Sequence, residues 1–249
     1  MSGHSKWATI KHKKAATDAR RGRIFTRLIR EIAIAARGGT DPNTNARLRT
    51  AINAAKNENM PGDNIERAIL RGSGQLEGET LEETSFEGYG PGGVGVIVQV
   101  VTSSRNRTIS EIRHIFSRNG GNMAEANAVG WMFERKGEIV VPKEQANEDK
   151  MMGIVLDAGA EDLRDDGEAW EVVTPPESFE AVQKALSAAG VKPSAGEIGM
   201  LPKSYVKLAG QQAQQMIRLV DALEEQDDVQ HVYSNFDVDE KEIQAAVAQ

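Results

Sequence analysis

Ten of the first 37 residues are bases, Lys6, Lys11, Lys13, Lys14, Arg20, Arg21, Arg23, Arg27, Arg30 and Arg37, set against two acids, Asp18 and Glu31. Closely spaced cationic side chains of this kind neutralise phosphates, and their field reaches about 8 Å at physiological salt. Through residue 78 the chain carries 15 bases and 7 acids; the remainder carries 15 bases and 30 acids, for a formal net charge of −7. A basic head on an acidic body points to a polyanion partner, with nucleic acid the leading candidate. The plainer alternatives are a solvated charged face or an Arg-rich transit peptide. Against the second, no small-residue cleavage signal interrupts the stretch before it enters a helix patterned for a core.

A second basic group, Arg105-Asn106-Arg107-Thr108, ends an apolar strand and opens a helix. Two arginines there could hold a phosphate at the helix N-terminus, or Asn106 could cap the helix and leave the arginines solvated. Trp7 beside Lys6 could stack on a base or seal the first helix to its neighbours. Gly90-Pro91-Gly92-Gly93-Val94-Gly95 has the spacing of a dinucleotide loop, but a strand follows it where a helix is needed, so it predicts a hairpin turn.

The four histidines (His4, His12, His114, His231) are scattered, and neither a metal nor any other cofactor is expected. His12 sits among lysines, and His114 beside Ile112 and Ile115 reads as structural. Residues 144 to 171 hold ten acids, read as a solvated face that could also dock a basic protein. No Ser-His-Asp order, nucleophile elbow or P-loop is present, which argues against an enzyme and a small-molecule substrate. With no cysteine, disulfides and thiolate chemistry are excluded. No apolar run approaches 18 residues and no signal-peptide core precedes Met1-Ser2-Gly3-His4, so no membrane partner and a cytoplasmic location are expected.

These groups need elements to position them. At about 100° per residue Arg23, Arg27, Arg30 and Arg37 share a stripe, and Ile24, Phe25, Leu28, Ile29, Ile32, Ala35 and Ala36 cover the opposite side, which predicts a helix offering its arginines outward. Ile34 falls on the basic stripe without explanation. Leu48, Ala51, Ile52 and Ala55 predict a second helix. A third follows Pro61-Gly62, with Asp63 and Glu66 at the spacing of a capping box.

From Thr84 the period changes to strands: 85–89 and 94–101 as a hairpin, a helix at 108–118, a strand at 129–133. A second set follows, with strands from Glu138, near Asp162, at 170–174 and at 193–201, and helices at 147–158 and 177–188. A helix at 211–225 and a strand at 229–236 would close the first set. The expected fold class is α+β: an N-terminal helical bundle, then two helix-on-antiparallel-sheet, ferredoxin-like domains. The expected domains are 1–79, a discontinuous 80–134 with 204–249, and an inserted acidic 135–203.

Gly3-His4-Ser5-Lys6-Trp7-Ala8, Ile10-Lys11-His12-Lys13-Lys14, Arg21-Gly22, Phe25 and Arg30-Glu31-Ile32 resemble the opening of the YebC family. That family includes the mitochondrial translational activator of cytochrome c oxidase. Glu87-Gly88-Tyr89-Gly90-Pro91-Gly92-Gly93, Asn106-Arg107-Thr108 and Phe133-Glu134-Arg135-Lys136-Gly137 extend the resemblance over essentially the whole chain. Ser103-Ser104 departs from it, where relatives commonly carry Asp-Asn.

The resemblance implies three domains and a non-enzymatic regulator of gene expression, with no agreed catalytic or base-reading residues. Family members are described as transcriptional regulators that bind DNA, and others look like translation factors that act at the ribosome on proline-rich stretches. The first reading is therefore a DNA-binding transcriptional regulator. The alternative is a ribosome-associated factor that binds ribosomal RNA, and the weaker third is a module that uses its acidic face on a basic protein. On charge alone the nucleic-acid-binding residues are Lys6, Lys11, Lys13, Lys14, Arg20, Arg21, Arg23, Arg27, Arg30, Arg105 and Arg107. Exchanging Arg23, Arg27 and Arg30 for Glu is expected to abolish function under the first two readings.

Overall fold

The computed structural model describes residues 18–239, with side chains from residue 22 onward. In chain order the elements are helices α1 (Asp18–Ala36), α2 (Ala46–Asn57) and α3 (Gly62–Gly72), strands β1 (Glu82–Tyr89) and β2 (Gly95–Thr102), α4 (Arg105–Arg118) and β3 (Asn122–Ala124). Then come β4 (Phe133–Pro142), α5 (Glu148–Asp157), β5 (Asp162–Asp165), β6 (Ala169–Thr174), α6 (Phe179–Ala188) and β7 (Ala195–Pro202). The chain closes with β8 (Val206–Lys207), α7 (Gly210–Glu225), β9 (Val229–Ser234) and β10 (Phe236–Asp237). Helices on antiparallel sheets make the fold α+β. No helix among the described residues is long and apolar enough to cross a membrane. Two compact units are present, residues 131–204 and the rest of the chain.

In the larger unit the apolar faces of α1, α2 and α3 meet around Ile32, Leu48, Ala55, Ile65 and Ala68. Asn45 makes the corner: its side-chain oxygen accepts from the Leu48 amide at 3.0 Å, and its amide nitrogen donates to the Ala35 and Gly39 carbonyls at 2.7 and 2.8 Å. One residue thus caps α2 and satisfies orphan carbonyls at the end of α1. Helix α3 is not capped by Asp63. It begins at Gly62 with Pro61 in the cap position and no side-chain cap bond, leaving Asp63 inside the first turn, where its charge complements the helix dipole.

The sheet of this unit runs β3-β1-β2-β9, antiparallel throughout. Central β2 is buried on both faces. Val96, Val98 and Val100 enter the core with Phe116, Met216, Leu219 and Val232, and Ile97 and Val101 are buried on the other side. The hairpin turns at Gly90-Pro91-Gly92-Gly93, where Gly92 and Gly93 take φ of 72° and 80°, and a Cβ on Gly92 would lie 2.5 Å from Leu208.

The strand expected at 129–133 is not there. The third strand is Asn122–Ala124, paired with Glu87 to Tyr89, and residues 130–132 form a single 3-10 turn. A three-residue edge strand with one large apolar side chain, Met123, has no period to detect, whereas Val129 is apolar because it is a buried loop anchor.

The Glu87 carboxylate holds that loop, accepting the amides of Asn127, Val129 and Gly130 at 2.9, 2.7 and 2.9 Å. Glu87→Ala would leave three donors without their acceptor. It is expected to cost about 1–3 kcal/mol in urea unfolding and to speed amide exchange at all three positions; unchanged exchange would show that the loop is held by other contacts.

Residues 131–204 run β-α-β-β-α-β with sheet order β5-β6-β4-β7, the ferredoxin-like arrangement. Helices α5 and α6 cover one face over Ile139, Val141, Met151, Trp170, Val172 and Leu186. Strands β4 and β7 pair from Phe133↔Pro202 to Val140↔Ala195, but β6 joins β4 only from Gly137 onward. Residues 133–136 and 199–202 therefore form a two-stranded ribbon beyond the four-stranded sheet.

Candidate nucleic-acid interface

The arginine stripe of α1 is turned inward, against the end of α7, contrary to the expectation that it faces out. A helix C-terminus presents carbonyls without intrahelical partners and carries partial negative charge, so guanidinium groups are well matched to it. Arg27 donates to the Glu224 carbonyl and Arg30 to the Asp227 carbonyl. Arg23 pairs with Glu225 at 3.5 Å, and Arg37 donates to the Leu81 carbonyl. Ile34 is now explained: it lies between Arg30 and Arg37 on the packed stripe and is buried.

Asp228 is the centre of this clamp. It is 1 % exposed and receives Arg30 at 2.9 Å on one oxygen. Its other oxygen receives Arg107 at 2.9 Å, the Thr108 hydroxyl at 2.6 Å and the Thr102 hydroxyl at 3.3 Å. Burial pushes the carboxyl up, but hydrogen bonds from Thr108 and Arg107, the Arg30 charge and a bond from Gln226 outweigh it and hold the group below the usual range. A second clamp joins the helices to β1: Arg47 forks to Glu31 at 2.7 and 3.1 Å and to Glu83 at 2.8 and 3.1 Å. The Arg47 hydrogen bond is the main cause holding Glu83 below its ordinary value.

The second basic group is also engaged. Arg105 pairs with Glu82 at 3.1 Å and Arg107 with Asp228. Neither Asn106 nor any other side chain caps α4 in the usual way; Ser104 holds the cap position, and its amide donates to the Thr102 hydroxyl at 2.9 Å. Of the expected contact residues, Arg23, Arg27, Arg30, Arg105 and Arg107 thus have partners within the chain. Lys6, Lys11, Lys13 and Lys14 lie outside the described residues, as do Trp7, His4 and His12, and the side chains of Arg20 and Arg21 lie outside them too.

Several bases missed by the sequence reading, Lys56, Arg67, Arg71, Arg113, Arg118 and Arg218 among them, are exposed and have no side-chain ion pair or hydrogen bond among the described residues. The Arg67 and Arg71 spacing, one turn apart opposite Ile65 and Ala68, was the signal available for them.

His114 is exposed, not structural. Several acids of 144–171 are neutralised locally. Asp165 pairs with Lys143, whose hydrogen bond is the main cause of its lowered pKa, Asp162 meets Arg164 at 2.8 Å, and Glu161 meets Lys136 at 2.6 Å. Burial raises the pKa of Glu171, 3.8 Å from Arg164. Among the described residues no group of three or more carboxylates or imidazoles could hold a metal ion.

Comparison with known proteins gives a consistent result. Residues 5–75 match the model of the TACO1/YebC protein N-terminal domain, and residues 81–236 match that of the TACO1/YebC second and third domain. A probable transcriptional regulatory protein of Solibacter usitatus is 62 % identical over 245 residues, covering 98 % of this chain and 99 % of the relative. One from Koribacter versatilis is 59 % identical over 244 residues, covering 98 % of each. A crystal structure of a conserved hypothetical protein from Aquifex aeolicus superposes with a TM-score of 0.83 at 48 % identity, over 93 % of this chain and 96 % of that one.

Proposed function

The chain belongs to the TACO1/YebC family, and from that premise we propose that it is a non-enzymatic regulator of transcription that binds DNA through phosphate contacts. The observation that carries the reading is the charge of its head: six bases stand against one acid, Asp18, in residues 1–21 of a chain whose net charge is −7. Curated relatives that span its full length are named probable transcriptional regulatory proteins. Because Arg23, Arg27, Arg30 and Arg107 are occupied by carbonyls and carboxylates of the same chain, the grip is assigned to Lys6, Lys11, Lys13, Lys14, Arg20 and Arg21. Such contacts position a protein on a duplex without reading sequence.

The test is binding of the full chain to duplex DNA as a function of salt. Six phosphate contacts should make affinity fall about 10³-fold between 50 and 200 mM, and replacing Lys11, Lys13 and Lys14 by Gln should reduce the logarithmic salt slope by about 3. A flat response overturns the reading. Clearly tighter binding to ribosomal RNA than to DNA would replace it with the ribosomal one. The triple exchange of Arg23, Arg27 and Arg30 for Glu is unsuitable here, since it would break the clamp and report on folding.

A further inference from the structure

We propose that the facing flanks of α4 and α7 form a second phosphate-binding strip, in which Arg118 and Arg218 grip the backbone of a nucleic acid and the His114 imidazole donates a hydrogen bond to it. The inference rests on the nucleic-acid reading above and adds to it a contact surface on a folded layer, remote in sequence from the basic head.

The register of the two helices places these side chains together. At one end the Gln226 amide, just past α7, donates to Glu111 of α4 at 2.7 Å. At the other, just past α4, a Cβ on Gly120 would lie 3.6 Å from the Gln215 side-chain oxygen of α7. The helices are therefore antiparallel, and the groove between them is lined by Glu111, His114 and Ile115 from α4 and by Ala222, Glu225 and Gln226 from α7. Arg118 is one turn on from His114 and Arg218 one turn back from Ala222, so each continues its flank by about 6 Å toward the Gly120 end. The two arginines consequently stand level with each other on either side of the groove.

Their charge has no counterpart there. Arg118, Arg218 and His114 are exposed, and none has a side-chain ion pair or hydrogen bond among the described residues. The acids of these helices are taken up elsewhere: Glu111 by Gln226 and by Arg107 at 3.9 Å, Glu225 by Arg23 at 3.5 Å, and Asp221, next to Ala222, by other contacts. Like charges held level on neighbouring helices repel, and an anion lying between them removes that cost. A protein partner would meet charge where interface cores are depleted of it, whereas phosphates accept from arginine in a forked pair of bonds. The strip is open to solvent rather than enclosed, which suits a polymer backbone crossing it.

The chain has no cysteine, so Ser117→Cys, at an exposed position beside Arg118, provides a single thiol for a benzophenone label. In the full chain the label is expected to crosslink to a short DNA duplex on illumination. Arg118→Gln together with Arg218→Gln should remove the crosslink and reduce the logarithmic salt slope of duplex binding by about 2, with a urea midpoint no lower than the parent's. Arg67→Gln with Arg71→Gln, exposed on α3, should keep the crosslink; an equal loss there would make the effect one of total charge and overturn the proposal. Bound duplex without a crosslink, or an unchanged slope in the Arg118 and Arg218 pair, overturns it as well. If duplex binding then still depends on Lys11, Lys13 and Lys14, the proposed function stands and this inference alone falls. If the duplex response is flat but the label crosslinks to ribosomal RNA in a manner that requires Arg118 and Arg218, the duplex reading fails and the strip stands; a crosslink to neither polymer overturns the strip.

Discussion

Asp228→Ala is expected to destabilise the chain by about 3–5 kcal/mol, seen as a lower urea midpoint at neutral pH. The carboxylate is buried, and the loss is less that of its own bonds than of the compensation it gives to others. Arg30, with 17 % of its side chain exposed, would keep its charge and lose its anion, and Thr108, which is fully buried, would lose its shortest hydrogen bond and be left with the Thr102 hydroxyl and the Ser104 carbonyl at 2.8 and 3.1 Å. Asp228→Asn retains the shape and should recover the hydroxyl bonds without the charge, so it should fall between the two.

The pH dependence has a defined sign. The folded-state pKa of Asp228 lies below its unfolded value, so its contribution is complete above the unfolded pKa and is lost as pH falls through the lowered folded one. The hydrogen bond to Asp228 raises the pKa of Arg107, which stays charged throughout. Stability of the parent should therefore drop on acidification below the ordinary carboxylate range, and Asp228→Asn should show a smaller drop. An equal acid response in both would remove Asp228 from the acid-labile groups.

Gly72→Ala is the second large effect, and two opposing terms decide it. Alanine in place of glycine ordinarily favours a helix by about 1 kcal/mol. At Gly72 a Cβ would fall within the van der Waals envelope of the Ala33 carbonyl oxygen, 2.8 Å from its carbon and 2.9 Å from its Cα. These are backbone atoms of α1, which cannot swing aside as a side-chain tip can. Overpacking costs about 1–3 kcal/mol even where side chains can adjust, and here α3 must move as a body, so the clash wins. The expected net result is a loss of about 2 kcal/mol or more in urea unfolding, while Gly74→Ala, at φ 77° with open space around it, should cost only about 1 kcal/mol. A stabilised Gly72→Ala would mean that α1 and α3 do not approach as described.

The α+β class was legible because the apolar periods are strong where they matter. Ile24 to Ala36 repeat as a helix, and Val94 to Val101 form a continuous run that fits a strand buried on both faces. The family was legible from the opening motif. What failed were elements whose signals are local and polar: the three-residue β3, and the cap of α3, where Pro61 displaced Asp63 by two positions.

The arginines failed for a different reason. A stripe of Arg23, Arg27 and Arg30 looks the same from sequence whether it faces water or a helix end, since its partners are two main-chain carbonyls and acids some 200 residues away. Ile34 was the one residue that betrayed the packed side, because an isoleucine amid a solvated stripe has no reason to be there. That Arg118 and Arg218 flank one groove gave no sequence signal at all, as they lie 100 residues apart.

The pairing of β2 with β9 has a consequence for how the polypeptide is made. Synthesis delivers Thr102 long before Val229, at about 5–20 residues per second. For a period on the order of ten seconds the most apolar strand of the nascent chain has an open edge, and such an edge is a template for pairing with another chain. Residues 131–204, which have their own core, emerge in that interval and can close first. Arg30, already in its helix, waits for Asp228 until the end of translation. A truncation before residue 228 would therefore lack both the ninth strand and the buried anion, and a stalled or prematurely released chain would be the species most exposed to aggregation.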